Sequence, residues 1–399
     1  MSQWPQAPVA DLISSGALRV EDGNHGEYRP RPEEFTRHGV AYIRAADLRG
    51  GRIDFASAGR INATARERIR KGIGEPGDVL LTHKGTVGRV AIASTASPDF
   101  VCSPQTTFWR VIDDTLLDRH FLRLFLESPA FQAQLNVHKD SSDMAPYVSL
   151  TDQRALRLAL PGLNTQHGVA EVLGALDDKV AANARLCTAA EDLSTTVFRS
   201  IAEDDPTERP LTKLARFING RAYTKDATGT GRVVIRIAEL NSGIGESTVL
   251  NNIEVPNDNI ARPGDLLFAW SGSLTVHRWF RPEGIVNQHI FKVIPTDENP
   301  LWLIHQLLIR KLTEFRAIAA DKATTMGHIQ RRHLDELVSV PAPDAIERIH
   351  PIMDSLWSTA LSAEQESLHL ATLRDTLLPH LMSGRLRVKE AEKQVEAVV

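Results

Sequence analysis

The chain repeats one succession of short motifs in its two halves. Three pairs of segments carry the repeat: AYIRAADL at 41–48 with VVIRIAEL at 233–240, PGDVLL at 76–81 with PGDLLF at 263–268, and PQTTFWRVI at 104–112 with NQHIFKVI at 287–294, one residue shorter. The period is far too long for a solenoid, so each copy is predicted to fold as a complete domain. Two homologous but unequal domains predict two related but different targets.

Composition restricts the class of protein. With 399 residues, 42% of them hydrophobic and 24% charged, the chain is predicted to form two to three soluble domains. It has no run of ~18 apolar residues and no secretory signal pattern, so no membrane association is predicted. The only cysteines, Cys102 and Cys187, fit a reducing compartment and exclude a zinc site made of cysteines. The protein is therefore predicted to be cytoplasmic.

Basic and acidic segments alternate along the chain. Residues 22–112 contain 14 Lys and Arg against 10 Asp and Glu, and residues 209–342 contain 17 against 13. Residues 162–205 contain 3 against 8, and residues 343–399 contain 6 against 9. The net charge of −4 thus hides two basic regions, which give modest support for contact with phosphates.

Each copy is predicted to be strand-rich. Short apolar runs are separated by Gly, Pro, Asn and Asp at intervals of roughly ten residues, which is typical of a compact β-rich domain. A helical segment follows in each copy, at 118–137 and 300–320, and a closing strand leads into a proline, at 156–161 and 337–341.

A long helix is predicted after each closing proline. Mostly apolar residues recur at alternating steps of four and three, which is the pattern of a coiled-coil seam. The seam includes Val169, Leu173, Leu176, Val180 and Asn183 in the first helix, and Ile349, Met353, Leu356, Ala360 and Ala363 in the second. A polar residue such as Asn183 in a seam tends to fix its register.

These elements predict an α+β fold, with two β-rich domains related by a pseudo-twofold axis and separated by two long antiparallel coiled-coil helices. The predicted segments are 1–161 for the first domain, 162–205 for the first helix, 206–342 for the second domain, 343–384 for the second helix, and 385–399 for a charged tail expected to fray. The first helix, ~58 Å long at ~1.5 Å per residue, would separate the domains like a ruler. Two independent domains, each with its own surface helix, are the alternative.

The chain resembles the specificity subunit of type I restriction-modification enzymes over essentially its whole length. Three regions carry the resemblance: the first long helix with Leu160, Pro161, Gln166, LDDKV at 176–180 and Asn183; the glycine-rich segment 76–88; and its counterpart 263–272 with 287–291. The first region is similar to the family's first spacer helix, and the other two to the core of its target-recognition domains. The second helix departs from the family pattern at 354–358 (DSLWS).

The resemblance implies that each domain reads one half of a bipartite, asymmetric site in double-stranded DNA, with the helices setting the gap. It also implies that two modification (methyltransferase) subunits bind the helices and the adjoining domain faces, and that restriction (translocase and endonuclease) subunits join outside. S-adenosylmethionine, ATP and magnesium are expected on those partners, with no cofactor in this chain. The candidate partner-binding residues are Val169, Leu173, Leu176, Val180, Met353 and Leu356.

The sequence shows no convincing catalytic motif. It has no G-x-x-x-x-G-K-[ST] loop for ATP, and the segment 145–147 (APY) is a poor match to the tetrapeptide of base methyltransferases. His328 and His333 lack a third ligand at metal spacing. We therefore expect a non-catalytic recognition subunit. An enzyme with unrecognised motifs and an assembly scaffold that does not bind DNA are the alternatives.

Candidate DNA-binding residues lie in the glycine-rich loops and in the strand that follows each of them. Arg and Lys can pair with guanine or phosphate, and Gln with adenine. The candidates are Lys84, Thr86, Arg89 and Gln105 in the first domain, and Trp270, Ser271, Ser273, Arg278, Gln288 and His289 in the second. Arg278 is predicted to correspond to Arg89, and Gln288 to Gln105. Trp270 could equally be a core residue, and the two glutamines could be framework residues that satisfy buried backbone groups.

A further set of basic residues in the first domain is predicted to be a solvated surface, with phosphate contact as the alternative. These residues are Arg29, Arg31, Arg66, Arg68, Arg70 and Lys71.

Overall fold

The computed structural model describes residues 4–139, 145–296, 299–321 and 327–397. The chain forms two compact units: unit 1 comprises Met1–Lys179 with Leu370–Val399, and unit 2 comprises Val180–His369. The border between the units crosses both long helices, so each unit contains β-sheets and one part of each helix. The boundaries predicted from the sequence instead divide the chain into consecutive segments, with each long helix as a segment of its own. Those boundaries remain a prediction.

Unit 1 is built on two large sheets. Its described strands are β1 (Gln6–Pro8), β2 (Leu18–Asp22), β3 (Phe35–Thr36), β4 (Val40–Ile43), β5 (Leu48–Arg49), β6 (Gly51–Ile53), β7 (Gly59–Ile61), β8 (Ile73–Gly74), β9 (Val79–Lys84), β10 (Thr86–Ile92), β11 (Phe100–Cys102), β12 (Thr106–Val111) and β13 (Arg157–Ala159). One sheet has the order β2-β12-β9-β10-β6-β5, the other has the order β3-β7-β4-β11-β8, and β1 pairs with β13. The helices are α1 (Val9–Ser14), α2 (Ala63–Arg68), α3 (Arg119–Glu127), α4 (Pro129–Lys139) and α5 (Leu150–Ala155), followed by the first long helix α6 (Leu163–Ile201).

Unit 2 repeats this plan with fewer strands. Its described strands are β14 (Thr207–Pro210), β15 (Ala215–Asn219), β16 (Arg232–Ile235), β17 (Leu250–Asn251), β18 (Ile260–Ala261), β19 (Leu266–Ala269), β20 (Thr275–Arg278), β21 (Gly284–Val286), β22 (Ile290–Pro295) and β23 (Leu337–Val340). The sheets have the orders β15-β22-β19-β20 and β17-β16-β21-β18, and β14 pairs with β23. The helices are α7 (Leu211–Leu214), α8 (Ile237–Ser242), α9 (Leu301–Asp321) and the second long helix α10 (Pro343–Ser383). The predicted α+β fold with β-rich domains and two long helices is confirmed.

The repeated Pro-Gly-Asp motif forms the same turn in both units. The glycine of each motif has a positive φ, 90° and 95°, a conformation that favours glycine. The carboxylates of Asp78 and Asp265 accept hydrogen bonds of 2.8 and 2.6 Å from the backbone amide three residues earlier. Each carboxylate also pairs at 2.7 Å with a cation on the neighbouring strand, Arg110 in unit 1 and Lys292 in unit 2. The motif is therefore a structural turn that starts β9 and β19.

A second pair of glycines holds two segments close together in each unit. The Gly23 amide donates a 2.9 Å hydrogen bond to the Thr106 carbonyl, and the Gly220 amide donates a 3.0 Å bond to the Ile290 carbonyl. A Cβ atom at these glycines would lie 1.9 and 2.2 Å from a backbone oxygen of the adjacent segment, so only glycine fits. The units therefore share the backbone arrangement that their duplicated sequences predict.

The two long helices run antiparallel within unit 2. The Asn183 side chain on α6 donates a 2.6 Å hydrogen bond to the Glu366 carboxylate on α10. One turn further along α6, the Cys187 thiol lies 3.5 Å from the Ala360 carbonyl. As the residue number rises on α6 it falls on α10, which defines antiparallel packing in this unit. The predicted polar seam position, Asn183, is 3% exposed and is satisfied by a charged acceptor.

A buried ion cluster fixes helices together within unit 1. Asp177 on α6 accepts hydrogen bonds from Arg123 on α3 at 2.5 Å and from Arg374 on α10 at 2.9 Å. The Asp177 and Arg123 side chains are only 9% and 7% exposed. A carboxylate between two guanidinium groups is well compensated, and removing either partner would leave a buried charge.

Most of the charged tail is helical, contrary to the predicted fraying, in the part that the structure describes. Val388–Glu396 form a helix, α11, and Ala391 is fully buried. A Cβ atom at Gly168 on α6 would lie 2.8 Å from Val388, so α11 packs directly on the first long helix inside unit 1. Val388 and Ala391 are three residues apart and share one helix face. The prediction considered the charge of the tail and missed this short apolar face.

Candidate nucleic-acid interface

In unit 1 the glycine-rich loop leaves three predicted residues exposed. β9 ends at Lys84 and β10 begins at Thr86, so Gly85, with a φ of 76°, makes the turn between them. Lys84, Thr86 and Arg89 are all exposed. The Arg89 guanidinium donates a 3.1 Å hydrogen bond to the Ala45 carbonyl, which holds it against a neighbouring turn. Lys84 and Thr86 lie at the tip of the loop.

Tyr147, which the sequence did not assign to this site, lies beside the loop. Lys84 and Tyr147 form an isolated antiparallel bridge, and the Gly85 amide donates a 2.8 Å hydrogen bond to the carbonyl before Tyr147. The Tyr147 ring is 40% exposed and lies against the buried His83 ring, with the centroids 5.4 Å apart. His83 is fixed in turn by a 2.9 Å hydrogen bond from Nδ1 to the Val148 carbonyl.

Gln105 adjoins the same loop. Its carbonyl accepts a 2.9 Å hydrogen bond from the His83 amide, and its side chain is exposed. The Gln105 side-chain nitrogen lies 3.9 Å from the position that a Cβ atom would take at Gly85. Lys84, Gln105 and Tyr147 therefore come together from three segments of the chain, and we call them the strand-end group of unit 1.

The backbone hydrogen bonds around the strand-end group of unit 1 recur in unit 2, with Trp270 in the place of His83. We call this shared backbone arrangement the frame. The Trp270 amide donates a 3.0 Å hydrogen bond to the His289 carbonyl, as the His83 amide donates to the Gln105 carbonyl. His289 therefore corresponds to Gln105. The correspondence of Gln105 with Gln288 was wrong by one residue, because the hydrogen-bond register, rather than residue identity, sets the alignment.

The bridge at the end of the strand is also repeated. Ser271 forms an isolated antiparallel bridge with His328, as Lys84 does with Tyr147. Ser271 is only 5% exposed, whereas His328 and Ser273 are exposed. Ser271, His289 and His328 form the strand-end group of unit 2, which shares the frame of the first group but none of its side chains.

Trp270 is a half-buried framework residue. Its indole N–H donates a 2.9 Å hydrogen bond to the side-chain oxygen of Asn219, and its ring packs 5.7 Å from the Phe291 ring. The His289 ring is a second neighbour of the Trp270 ring, with the centroids 5.3 Å apart. The structure therefore favours the core interpretation of Trp270 that the sequence left open. Gln288, next to His289, is exposed.

Arg278 does not belong to either strand-end group. Its side chain is 4% exposed, pairs with Glu364 at 2.7 Å and Glu191 at 3.4 Å, and lies 4.6 Å from the Trp357 ring centroid. In the strand register Arg278 corresponds to Ile92, three residues beyond the predicted counterpart. Its predicted role in DNA contact is corrected: Arg278 fixes β20 to the long helices within unit 2.

A basic segment adjoins the strand-end group of unit 1. The Asn24 side chain donates a 3.4 Å hydrogen bond to the Lys71 carbonyl. The Asn24 backbone amide donates a 2.7 Å hydrogen bond to the Cys102 carbonyl at the end of β11, three residues before Gln105. Arg68 makes two 2.6 Å hydrogen bonds to Glu34, which together with a backbone amide hold the pKa of that carboxyl at about 2. Arg68 is therefore engaged inside the unit. The exposed basic residues of this region are Arg29, Arg31, Arg70 and Lys71.

The residues predicted to bind partner subunits are mostly buried within the chain. Val169, Leu173, Leu176 and Met353 are at most 1% exposed, and Val180 and Leu356 are half-buried. The prediction is corrected: the seam residues pack against their own unit, and Met353 and Leu356 join the core of unit 2. The exposed apolar residues of the long helices are instead Leu186 (46%), Leu193 (48%) and Ile352 (53%). Leu186 and Leu193 are seven residues apart and share one face of α6.

The described residues show no arrangement suited to a resident metal. Within them, no three His, Cys, Asp or Glu side chains are placed to hold a metal ion. His333 is buried, and its Nδ1 accepts a 3.0 Å hydrogen bond from the Gln330 amide. Nor is any helix in the described part of the chain long and apolar enough to cross a membrane.

The described residues form a duplicated β-rich domain and two long helices. Residues 29–191 match the family model of the type I restriction modification DNA specificity domain. This match over residues 29–191 confirms the resemblance to that family stated from the sequence. The matched residues include the strand-end group of unit 1 and most of α6.

One solved structure extends the similarity of fold to 95% of the chain. The S subunit of a type I restriction-modification system from M. genitalium is 15% identical, with a TM-score of 0.58 over 95% of this chain and 96% of that chain. The HsdS subunit from Thermoanaerobacter tengcongensis is 16% identical, with a TM-score of 0.37 over 96% of this chain and 97% of that chain. At these identities the first similarity establishes the fold alone. No curated protein sequence matches the chain.

Proposed function

We propose that this chain is the DNA specificity subunit of a type I restriction-modification complex. Unit 1 and unit 2 each read one half of a bipartite, asymmetric site in double-stranded DNA. The observation that carries this proposal is the pair of equivalent backbone frames that present different exposed side chains. Equal frames approach DNA in the same manner, and unequal side chains select different bases. The family match of residues 29–191 supports the same function.

The exposed residues and the half-buried His289 divide by the chemistry they offer DNA. Side chains that can hydrogen-bond base edges are assigned to base reading: Lys84 and Gln105 in unit 1, Gln288 and His289 in unit 2. The exposed hydroxyls of Thr86 and Ser273 are assigned to phosphate contacts. The exposed basic residues beside the first group, Arg29, Arg31, Arg70 and Lys71, supply salt-dependent affinity for the backbone.

The chemistry of restriction and modification is assigned to partner subunits in the cytoplasm. Two modification subunits and the restriction subunits bind this chain, and they hold S-adenosylmethionine, ATP and magnesium. The acidic segments 162–205 and 343–399 suit protein contacts better than phosphate contacts. The exposed pair Leu186 and Leu193 on α6 is the surface that we assign to a modification subunit.

The test uses the complex of this chain with its modification subunits. Methylation sequencing of host DNA identifies the site, and competition binding then compares duplexes in which one half-site is scrambled. Gln105→Ala is expected to weaken reading of one half-site by about 1–3 kcal/mol, and His289→Ala to weaken the other by a similar amount. Val137→Ala, at a position 75% exposed on α4, is the matched control and leaves both half-sites unaffected.

Three results would reject the proposal. Equal loss at both half-sites for either variant would show that the units do not divide the site. Binding without a steep decrease in affinity at higher salt would indicate an assembly scaffold. Methyl transfer or cleavage by the purified chain alone would identify an enzyme.

A further inference from the structure

Lys84 and Tyr147 bring two hydrogen-bond donors to the same loop. The Lys84 ammonium lies over the Tyr147 ring, 5.9 Å from its centroid. The backbone bridge between the two residues fixes their spacing, and both side chains reach the surface. A cation above an aromatic ring gains electrostatic stabilisation, so the ring restrains an otherwise mobile lysine. The pair is thus an arranged feature of the loop.

Both groups donate at neutral pH. The ammonium has three donors and no acceptor. Burial raises the pKa of the Tyr147 phenol, and the negative charges of Asp22 and Asp152 raise it further, so the phenol keeps its proton. Two adjacent donors are complementary to two adjacent acceptors. In the major groove, guanine is the base that offers two acceptors, N7 and O6, on one edge.

The surroundings disfavour a simple phosphate site. Asp22 lies directly behind the pair: its Oδ1 is 3.5 Å from Nε2 of His83, whose ring contacts Tyr147. A carboxylate in this place opposes the approach of a second anion, but it does not repel the neutral edge of a base. The exposed basic residues that suit phosphates, such as Arg70 and Lys71, adjoin the pair but belong to a different segment of the chain, so they supply backbone contacts separately from the pair.

We propose that Lys84 and Tyr147 together read a guanine in the half-site recognised by unit 1. This assignment rests on the proposed function. The equivalent pair in unit 2, Ser271 and His328, has a buried hydroxyl in place of the ammonium. Unit 2 therefore reads its half-site without this guanine contact, and the difference between the pairs is one source of the asymmetry of the site.

The experiment replaces single guanines by 7-deazaguanine, which lacks the N7 acceptor. Duplexes carrying one replacement at each guanine of both half-sites are bound by the complex of this chain with its modification subunits. For the unaltered chain, one replacement is expected to weaken binding about 5- to 150-fold. For Lys84→Ala with Tyr147→Phe, unmodified DNA is bound more weakly, and the same replacement has little further effect.

Matched variants separate reading from folding. Val137→Ala, an exposed change elsewhere in unit 1, is expected to keep the full response to 7-deazaguanine. Lys84→Ser with Tyr147→His transfers the unit 2 pair into unit 1 and is expected to abolish the response. Because both side chains are exposed, the unfolding midpoint of each variant should equal that of the unaltered chain.

Each remaining outcome decides between the two proposals. A site without guanine, or full sensitivity to 7-deazaguanine in the Lys84 and Tyr147 variant, overturns the guanine assignment and leaves the specificity function standing. Equal weakening on specific and scrambled DNA shows a phosphate contact and also overturns the assignment. A complex that binds no DNA sequence preferentially overturns the proposed function itself.

Discussion

The Asn183 side chain donates a hydrogen bond of 2.6 Å to Glu366, joining the two long helices within unit 2. This bond fixes which residues of α6 and α10 face each other, because Asn183 is buried and has this charged acceptor as its partner. A change in the length of α6 next to Asn183 must therefore alter the register of the helices.

An insertion tests whether α6 sets the gap in the recognised site. Four residues added after Asn183 lengthen the helix by ~6 Å, close to two base-pair rises of ~3.4 Å. The altered complex is expected to recognise both half-sites but to favour a longer gap, as measured by methylation of a library with every spacing. The same insertion after Gly229, a glycine with no atoms within 4 Å of its Cβ position, is the control. An unchanged spacing preference in an active complex would contradict the ruler hypothesis.

Arg278→Ala is expected to destabilise unit 2 by about 3–5 kcal/mol, because it leaves the carboxylate of Glu364 half-buried without its cation. Urea unfolding followed by tryptophan fluorescence measures the change. Arg89→Ala, at an exposed position of unit 1, is the matched control and is expected to cost about 0.5 kcal/mol or less. If Arg278→Ala has little effect on stability but strongly weakens binding to one half-site, Arg278 contacts DNA and its assigned structural role is wrong.

The stability of unit 2 is expected to fall at acidic pH because of His305. Burial, aided by the neighbouring Arg278 and His277, lowers the pKa of His305 to about 4, whereas an unfolded histidine titrates near ~6.5. As the pH falls, the unfolded chain binds the proton first. The stabilising contribution is therefore complete above about pH 6.5 and is lost by about pH 4, a change of about 2–3 kcal/mol.

Unfolding measured at a series of pH values checks this prediction. His305→Gln removes the titrating ring. The difference in stability between the variant and the unaltered chain therefore separates the contribution of His305 from that of Glu364, whose pKa is raised by burial. The same loss of stability in the variant would assign the effect to another group.

Glycine substitutions test the shared frame. Gly23→Ala and Gly220→Ala would each place a Cβ atom about 2 Å from a backbone oxygen, so each is expected to destabilise its own unit by about 3 kcal/mol or more. Gly174→Ala, inside α6 with no atoms within 4 Å, is expected to stabilise the protein by about 0.5–1 kcal/mol. Thermal unfolding compares the three variants. Tolerance of alanine at Gly23 or Gly220 would contradict the close backbone contact.

Local sequence patterns predicted much of the fold. The turn at Asp78 and its copy at Asp265 follow from the Pro-Gly-Asp motif, because the glycine and the capping carboxylate act within a few residues. The two long helices follow from the spacing of their apolar residues. The short apolar face of α11, with Val388 and Ala391, was too brief to stand out against the charge of the tail.

The candidate site could be predicted only in part, because its geometry depends on contacts between distant segments. Lys84 was found through its loop, but its neighbour Tyr147 lies 63 residues further along the chain. Arg278 looked like a free cation because its carboxylate partners, Glu191 and Glu364, are 87 and 86 residues away. The alignment of the two copies also depends on strand register. Matching Gln288 to Gln105 by residue identity shifted that alignment by one residue.

The separation of frame from surface has a consequence for how such a protein can change. The glycines and capping carboxylates that shape each frame are at positions other than those of the strand-end groups and do not depend on which side chains those groups carry. Substitutions at exposed positions such as Lys84 or His328 are nearly neutral for folding. A lineage can therefore acquire a new target in one half of its site by a few point changes, while the other half and the assembly remain as they were.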